Sequence, residues 1–179
     1  HHNLGLLVLA PGGNAPFAAL ATSQIPDLVS VAGAGNPGQF FPRWTYEKTS
    51  DAGDAYLLEL PGEHDNWGYR RVDNITDGSL TLYREKFGPL VSKDDIFSYV
   101  YGVLHSEQYR TTFAADLKRM LPRIPLAGST ADFEAFADAG RRLSELHVGY
   151  EAVEPYPLHE QVPLSGDPWE VYRVTKMKW

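Results

Sequence analysis

The chain has 179 residues, of which 43% are hydrophobic and 12% aromatic, a composition that supports one packed domain and excludes a disordered segment. It contains no cysteine, which excludes disulfide bonds, thiolate metal sites and cysteine nucleophiles and is typical of an intracellular protein, so we expect a cytoplasmic location. No apolar run approaches the roughly 20 residues that cross a bilayer. The net charge of -7 predicts that the chain alone binds nucleic acid weakly, because such affinity comes mainly from Lys and Arg on phosphates.

The first half of the chain predicts short strands separated by loops rich in Gly, Pro, Asn and Asp. The runs that favour strands occupy residues 4–10, 17–22, 28–32, 40–48 and 56–60. Pro42, inside the fourth run, cannot donate a hydrogen bond to a neighbouring strand and therefore indicates an edge strand or a bend.

From Asp77 onward the apolar residues recur at the helical period. A short helix there should end at Gly88-Pro89, and residues 109–121 carry an apolar face that predicts one further helix. The N-cap candidates for the later helices are Ser92, Ser106 and Ser129. We expect a final strand over residues 169–177.

Together these patterns predict an α+β fold, with an N-terminal mixed or antiparallel sheet region followed by a cluster of three to four helices. We expect a single domain over residues 1–179. Its strand-rich part would span 1–87, its helical part 88–157 and its C-terminal strand or tail 158–179.

No recognisable catalytic motif occurs in the sequence, which lacks a nucleophile elbow, a phosphate-binding loop and a dinucleotide fingerprint. His147 and Glu151 stand at i and i+4, but zinc needs at least three protein ligands. A capping or core role is the more frequent one for a histidine at a helix end or beside an apolar face, such as His105 or His147. We therefore expect no catalytic residue and no metal site, and a hydrolase based on His147 would need a further ionisable group beside it.

Basic and amide side chains are the more suggestive feature. The candidates for phosphate contacts lie on and just after one predicted helix: Arg110, Lys118, Arg119 and Arg123. The candidates for base contacts lie near the aromatic strand and the turn after residue 69: Arg43, Arg70, Arg71 and Asn74. Arg matches guanine and Asn matches adenine bidentately in the major groove. For any one of these residues the alternative is ordinary solubilising charge, in some cases paired with a carboxylate.

Several long strings of the sequence resemble a single family. They are residues 3–10, IPDL at 25–28, QFFPRWTYE at 39–47, RVDNIT at 71–76, DIFSYVYGVLHS at 95–106, DLKRMLPRIP at 116–125, LSELHVGYEAVEPYP at 143–157 and YRVTKMKW at 172–179. In this order they resemble the C-terminal target-recognition region of Type ISP restriction–modification enzymes, a region also found in proteins described as predicted helicases.

The resemblance implies a larger polypeptide that also carries a nuclease, a helicase-like ATPase that moves along duplex DNA and an adenine-N6 methyltransferase. S-adenosylmethionine, ATP and Mg would bind those other domains, whose motifs are missing here, so no cofactor is expected in this chain. The region would select a short DNA site and present it to the methyltransferase, which flips out the target base. Its partners would be double-stranded DNA and the methyltransferase and helicase domains of the same polypeptide.

Two functions are therefore compatible with the sequence. The first is a DNA sequence-recognition module that is non-catalytic by itself. The second is an interdomain scaffold that docks the methyltransferase without reading bases. Residues 33–39 and 49–69 differ from the shared strings, so specificity is expected in such loops.

Overall fold

The computed structural model describes residues 3–48, 67–157 and 166–174. The strands are β1 (Gly5–Leu9), β2 (Ala19–Thr22), β3 (Gly38–Pro42), β4 (Trp44–Lys48) and β5 (Tyr69–Asp73). The helices are α1 (Asp77–Phe87), α2 (Lys93–His105), α3 (Glu107–Thr112), α4 (Ala114–Leu117), α5 (Thr130–Val148) and α6 (Pro168–Val171), with a 3-10 turn at Tyr150–Ala152. Antiparallel strands followed by helices confirm the predicted α+β class.

Two small antiparallel sheets form the N-terminal part. In the first, β1 lies between β2 and β3, with Leu7 opposite Leu20 on one side and opposite Phe40 on the other. All five residues of β1 are buried, which explains its continuous apolar sequence. β3 is an edge strand that ends at Pro42, in agreement with the expectation for that proline.

The second sheet is a hairpin of β4 and β5, with Trp44 opposite Asp73. None of the ten residues in its two strands is buried. The four residues at its base, Trp44, Thr45, Val72 and Asp73, are half-buried, and polar contacts among the described residues join the hairpin to the rest of the protein at that end.

Close packing of α2 against α5 forms the centre of the helical part. A Cβ on Gly102 would overlap the carbonyl oxygen of Phe136, and one on Gly140 would overlap that of Ser98. Glycine at both positions lets the two backbones touch. This contact fixes the platform on which the other elements pack.

Aromatic rings fill the space beside that contact. Phe87 and Phe133 stack with centroids 4.6 Å apart, and Tyr83 and Tyr99 pack around them. Phe133 is 3% exposed, and complete burial of such a side chain stabilises a fold by roughly 1.5–3 kcal/mol.

Local caps set the helix boundaries as the sequence predicts. Ser92 and Asp95 form a reciprocal capping box at the start of α2. The Ser106 side chain accepts from the Tyr109 N–H, and Ser129 accepts from the Asp132 N–H. These side chains satisfy backbone donors that a helix leaves without partners at its N-terminus.

Three predicted elements differ from the structure. Residues 28–32 form turns and not a strand, because Gly33 and Gly35 adopt positive φ and Gly33 N–H donates back to Val29 O. The predicted helix over residues 109–121 is interrupted at Phe113, where two β-branched threonines and an aromatic residue weaken helix propensity.

At the C-terminus, residues 169–171 belong to helix α6 and not to the expected strand, because Asp167 caps a helical turn that begins with Pro168. Residues 175–179 and the predicted strand over 56–60 lie outside the described residues. The division into parts at residues 87 and 157 stays a prediction.

Candidate nucleic-acid interface

The hairpin presents Arg70 and Arg71 on opposite faces, since neighbouring residues of a strand alternate. Arg70 lies opposite Glu47, and its Nη2 is 3.3 Å from Glu47 Oε2 in an exposed pair. The Arg71 guanidinium carbon is 4.1 Å from the centre of the Trp44 ring. Both arginines are exposed, but only Arg71 rests on a rigid aromatic surface.

Arg43 is placed differently from these two. It lies at the bend between β3 and β4 and is 6% exposed, with salt bridges to Asp73 and Asp94. Its guanidinium carbon is also 4.0 Å from the centre of the Trp44 ring. The guanidinium is thus buried and already paired with two carboxylates, of which Asp94 is exposed and Asp73 partly exposed, a geometry that favours a structural role.

Asn74 follows β5 and closes the base of the hairpin. Its Nδ2 donates to Pro42 O at 2.7 Å, and its backbone N–H donates to Arg43 O at 3.3 Å. The residue is exposed. Its amide keeps a second N–H and a carbonyl oxygen, the pair of groups that adenine recognition requires.

The remaining basic candidates surround α3 and α4. Arg110 Nε donates to Leu104 O at 2.6 Å, which caps the C-terminal end of α2. Lys118, Arg119 and Arg123 are exposed, and no carboxylate among the described residues forms a salt bridge with them.

The backbone of this segment is nevertheless fixed. Lys118 O accepts from Gly12 N–H at 3.1 Å, and Arg123 O accepts from the Tyr109 hydroxyl at 2.9 Å. Three exposed basic side chains, with no carboxylate partner among the described residues, are therefore attached to an anchored main chain, an arrangement suited to phosphate oxygens.

A half-open apolar cavity of about 410 Å³ lies between the segments that carry the two basic groups, and no basic residue of the described part of the chain lines it. Pro42 and Asn74 line it beside the hairpin, while Leu121 and Pro122 line it beside the α4 segment. The structure thus brings the base of the hairpin and residues 118–123 to the border of one cavity. Contact of the predicted residues with DNA stays a prediction.

The two histidines considered for chemistry are half-buried beside Tyr101, near the C-terminal ends of α2 and α5. His147 Nδ1 hydrogen-bonds to the Tyr101 hydroxyl, which also accepts from Ala21 N–H at 2.9 Å, and His105 Nδ1 contacts Tyr101 O at 3.0 Å. Burial lowers the pKa of His105 and raises that of Tyr101 to about 12. These contacts give both histidines a structural role.

Among the residues that the structure describes, no group of three or more His, Cys, Asp or Glu side chains could hold a metal ion. In the same part of the chain, no helix combines the length and the apolar character needed to cross a membrane.

Sequence reasoning missed the network around Arg43, which includes Asp73, Lys93 and Asp94. The pairing of Arg43 with Asp94 joins residues 51 positions apart. A hint was present in the arginine inside an aromatic strand, since a charged residue at such a position is buried only when it is paired.

Comparison with protein families finds a match over residues 1–179 to the Type ISP C-terminal specificity domain. No curated protein sequence matches the chain.

Three solved structures are similar to it. A DrdV–DNA complex shares 30% identity at a TM-score of 0.72, covering 95% of this chain and 14% of that one. A nuclease-deletion mutant of the Type ISP restriction–modification enzyme LlaGI with a DNA substrate mimic shares 33% identity at a TM-score of 0.58, over 90% of this chain and 11% of that one. The ATP-dependent Type ISP restriction–modification enzyme LlaBIII bound to DNA shares 25% identity at a TM-score of 0.64, over 90% of this chain and 9% of that one. The chain therefore spans only a small part of the proteins that it resembles.

Proposed function

Because the chain belongs to the family of Type ISP C-terminal specificity domains, we propose that it is the DNA sequence-recognition module of a larger restriction–modification enzyme and is non-catalytic by itself. The larger polypeptide would supply an adenine-N6 methyltransferase and a translocating nuclease. Those domains would bind S-adenosylmethionine, ATP and Mg. The similar LlaGI and LlaBIII structures contain DNA, which supports duplex DNA as the ligand of this chain.

The observation that carries the proposal is that two segments with exposed basic residues, the hairpin and residues 118–123, border one cavity through Pro42, Asn74, Leu121 and Pro122. A two-stranded ribbon such as β4–β5 has the dimensions to enter the major groove. Arg71 on the Trp44 ring and Asn74 at the turn are the side chains that we assign to base edges, with Arg70 beside them. Since both Arg71 and Asn74 are partly held in place, less conformational entropy is lost when they bind.

The second basic group is assigned to the DNA backbone. Lys118, Arg119 and Arg123 would contact phosphates, and Arg110 would add a phosphate contact through its terminal nitrogens, because only its Nε donates to the Leu104 carbonyl. The contact set excludes Arg43, whose guanidinium already binds two carboxylates. With a net charge of -7, the chain alone should bind weakly and in a strongly salt-dependent manner.

The phosphate assignment is tested with the double variant Arg119→Ala/Arg123→Ala. Binding should weaken by a similar factor on every duplex sequence, and the slope of log K against log salt should become shallower by about 2, one unit for each lost contact. The measurement is a fluorescence-anisotropy titration at several salt concentrations. The control variant Lys86→Ala/Arg142→Ala removes the same charge elsewhere, and an equal loss in that control would show that only bulk charge matters.

The base-reading assignment is tested with Arg71→Ala. Discrimination at one base-pair position should fall by about 1–3 kcal/mol, while the other positions keep their preference. Selection from a duplex library with a randomised central segment reports each position separately. A uniform loss over all positions would reassign Arg71 to the backbone, and unchanged binding in both experiments would favour the interdomain scaffold.

A further inference from the structure

Arg43 joins the hairpin to the helical part through one buried guanidinium. Its Nη1 donates to Asp73, the last residue of β5, and its Nε donates to Asp94 Oδ1 in the first turn of α2 at 2.6 Å. Leaving a buried guanidinium without its carboxylate partners is strongly unfavourable. Arg43 therefore cannot turn toward DNA without breaking the connection between these two elements.

The network extends from Arg43 to a third element through Lys93. The Lys93 ammonium is 3.3 Å from Asp73 Oδ2 and 2.6 Å from Asp77 Oδ1 in the first turn of α1. The hydrogen bond to Asp77 raises the pKa of Lys93, and the pairing with Asp73 acts in the same direction, against an opposing effect of desolvation that is smaller than that of the Asp77 hydrogen bond. Both helix N-termini thus take part in holding the base of the hairpin.

Trp44 transmits the position of Arg43 to the outer face of the hairpin. Its ring contacts the guanidinium groups of both Arg43 and Arg71, 4.0 and 4.1 Å from the ring centre. Its backbone is fixed to Asn3, whose Nδ2 donates to Trp44 O at 2.7 Å and whose Oδ1 accepts from Trp44 N–H at 3.1 Å. A displacement of Arg43 would therefore remove a contact that holds the ring on which Arg71 rests, while the backbone of Trp44 stays in place.

We infer that Arg43 is a positioning residue for DNA sequence discrimination. It sets the angle of the β4–β5 hairpin on α1 and α2, and through Trp44 it sets the place of Arg71, without touching DNA itself. This inference rests on the proposed function. A bidentate base contact requires placement to within about 0.5 Å, and the forked guanidinium can hold two carboxylates in fixed directions where a lysine ammonium cannot.

The test uses Arg43→Lys and Asp94→Ala in the full-length polypeptide that carries this chain. Asp94→Ala removes the direct contact between Arg43 and α2 while the Lys93–Asp73 pair remains, and because the Asp94 side chain is 75% exposed the variant keeps its core. The matched control is Asp138→Ala, which removes an exposed helical carboxylate that also lies 2.6 Å from an arginine nitrogen. The probe is a library of duplexes with a randomised central segment, read by sequencing of the bound fraction, together with the salt dependence of binding to one unselected duplex.

We expect both variants to lower the enrichment of the selected motif about tenfold, the discrimination that one bidentate base contact supplies. Their affinity for the unselected duplex and its salt slope should equal those of Asp138→Ala. Full enrichment in both variants, with only a lower melting temperature, would overturn the inference and leave Arg43 a stabilising residue.

Two other outcomes separate this inference from the function on which it rests. A shallower salt slope in Arg43→Lys would overturn the inference alone, because it would make Arg43 a phosphate contact. A wild-type protein that enriches no motif would overturn the proposed function, and the inference with it.

Discussion

The α2–α5 helix pair and the β4–β5 hairpin are held in opposite ways. The helices touch through Gly102 and Gly140, where even one added carbon atom would overlap a backbone oxygen. No residue of either hairpin strand is buried, and the hairpin is fixed at its base by hydrogen bonds and ion pairs of Arg43 and Asn74. One region therefore tolerates almost no change of volume, while the other can exchange its exposed side chains at little cost to the fold.

This difference fits a module in which the scaffold stays constant while the recognised sequence varies. Substitutions on an exposed strand usually change stability by less than about 0.5 kcal/mol, so residues of the hairpin strands can change independently of the core. The polar network at the hairpin base is the place where the two regions depend on each other.

The largest expected effect comes from the substitution Gly140→Ala, which tests the close contact between α2 and α5. Its Cβ would overlap the backbone oxygen of Ser98, so the helices must separate, at a cost of about 3 kcal/mol. The measurement is the free energy of unfolding in urea.

The matched control for this variant is Gly78→Ala in α1, where the nearest atom to an added Cβ is 4.0 Å away. There alanine should stabilise the fold by roughly 0.5 kcal/mol, because it restricts the unfolded chain. Equal effects of the two substitutions would contradict close helix contact as the source of stability.

The parts of this fold that follow from local chemistry could be predicted from sequence. Ser92, Ser106 and Ser129 cap helices as expected, since each cap involves residues only three positions apart. The same holds for the stop at Gly88 after α1.

Features that depend on distant residues could not be predicted. The turns over residues 28–32 are organised by Asn36, which also accepts from the backbone of Asn14, 22 positions away. The burial of Arg43 depends on carboxylates 30 and 51 positions away. A basic residue that reads as a DNA contact in sequence can thus lie inside the protein, because sequence alone does not show which carboxylates surround it.

A smaller effect is expected for Tyr101→Phe, which tests how the helices hold the three-stranded sheet. The Tyr101 hydroxyl accepts from Ala21 N–H of β2 and contacts His147 on α5, and the residue is 0% exposed. Phenylalanine would leave a buried N–H without a partner, at a cost of about 2 kcal/mol.

Tyr150→Phe is the control for Tyr101→Phe, since among the described residues the hydroxyl of Tyr150 hydrogen-bonds to Glu151 alone, in an exposed pair. That variant should change the unfolding free energy by less than about 0.5 kcal/mol. If the two variants lose the same stability, the hydroxyl of Tyr101 is not a link between the sheet and the helices.

The smallest expected effect is that lowering the pH destabilises the two regions in different pH ranges. His105, half buried at the end of α2, has its pKa lowered below 6.5 by burial, with Arg110 and His147 acting in the same direction against the carbonyls of Tyr101 and Ala19. The unfolded chain therefore binds this proton at higher pH than the folded one. It follows that the free energy of unfolding is largest above about pH 6.5 and falls as the pH decreases below that value.

The base of the hairpin should lose stability at lower pH than the contact between α2 and β2. The hydrogen bond from Lys93 lowers the pKa of Asp77 below 3.8, so the stabilisation from this carboxylate is present above 3.8 and is lost only as the pH falls further. Acidification should thus loosen the contact of α2 with β2 before it loosens the network around Arg43.

Amide hydrogen exchange measured between about pH 4 and pH 7 would show protection falling first at Ala21. His105→Gln should remove most of that early loss because glutamine does not titrate. An earlier loss of protection in β5 than in β2 would contradict the order of these two transitions.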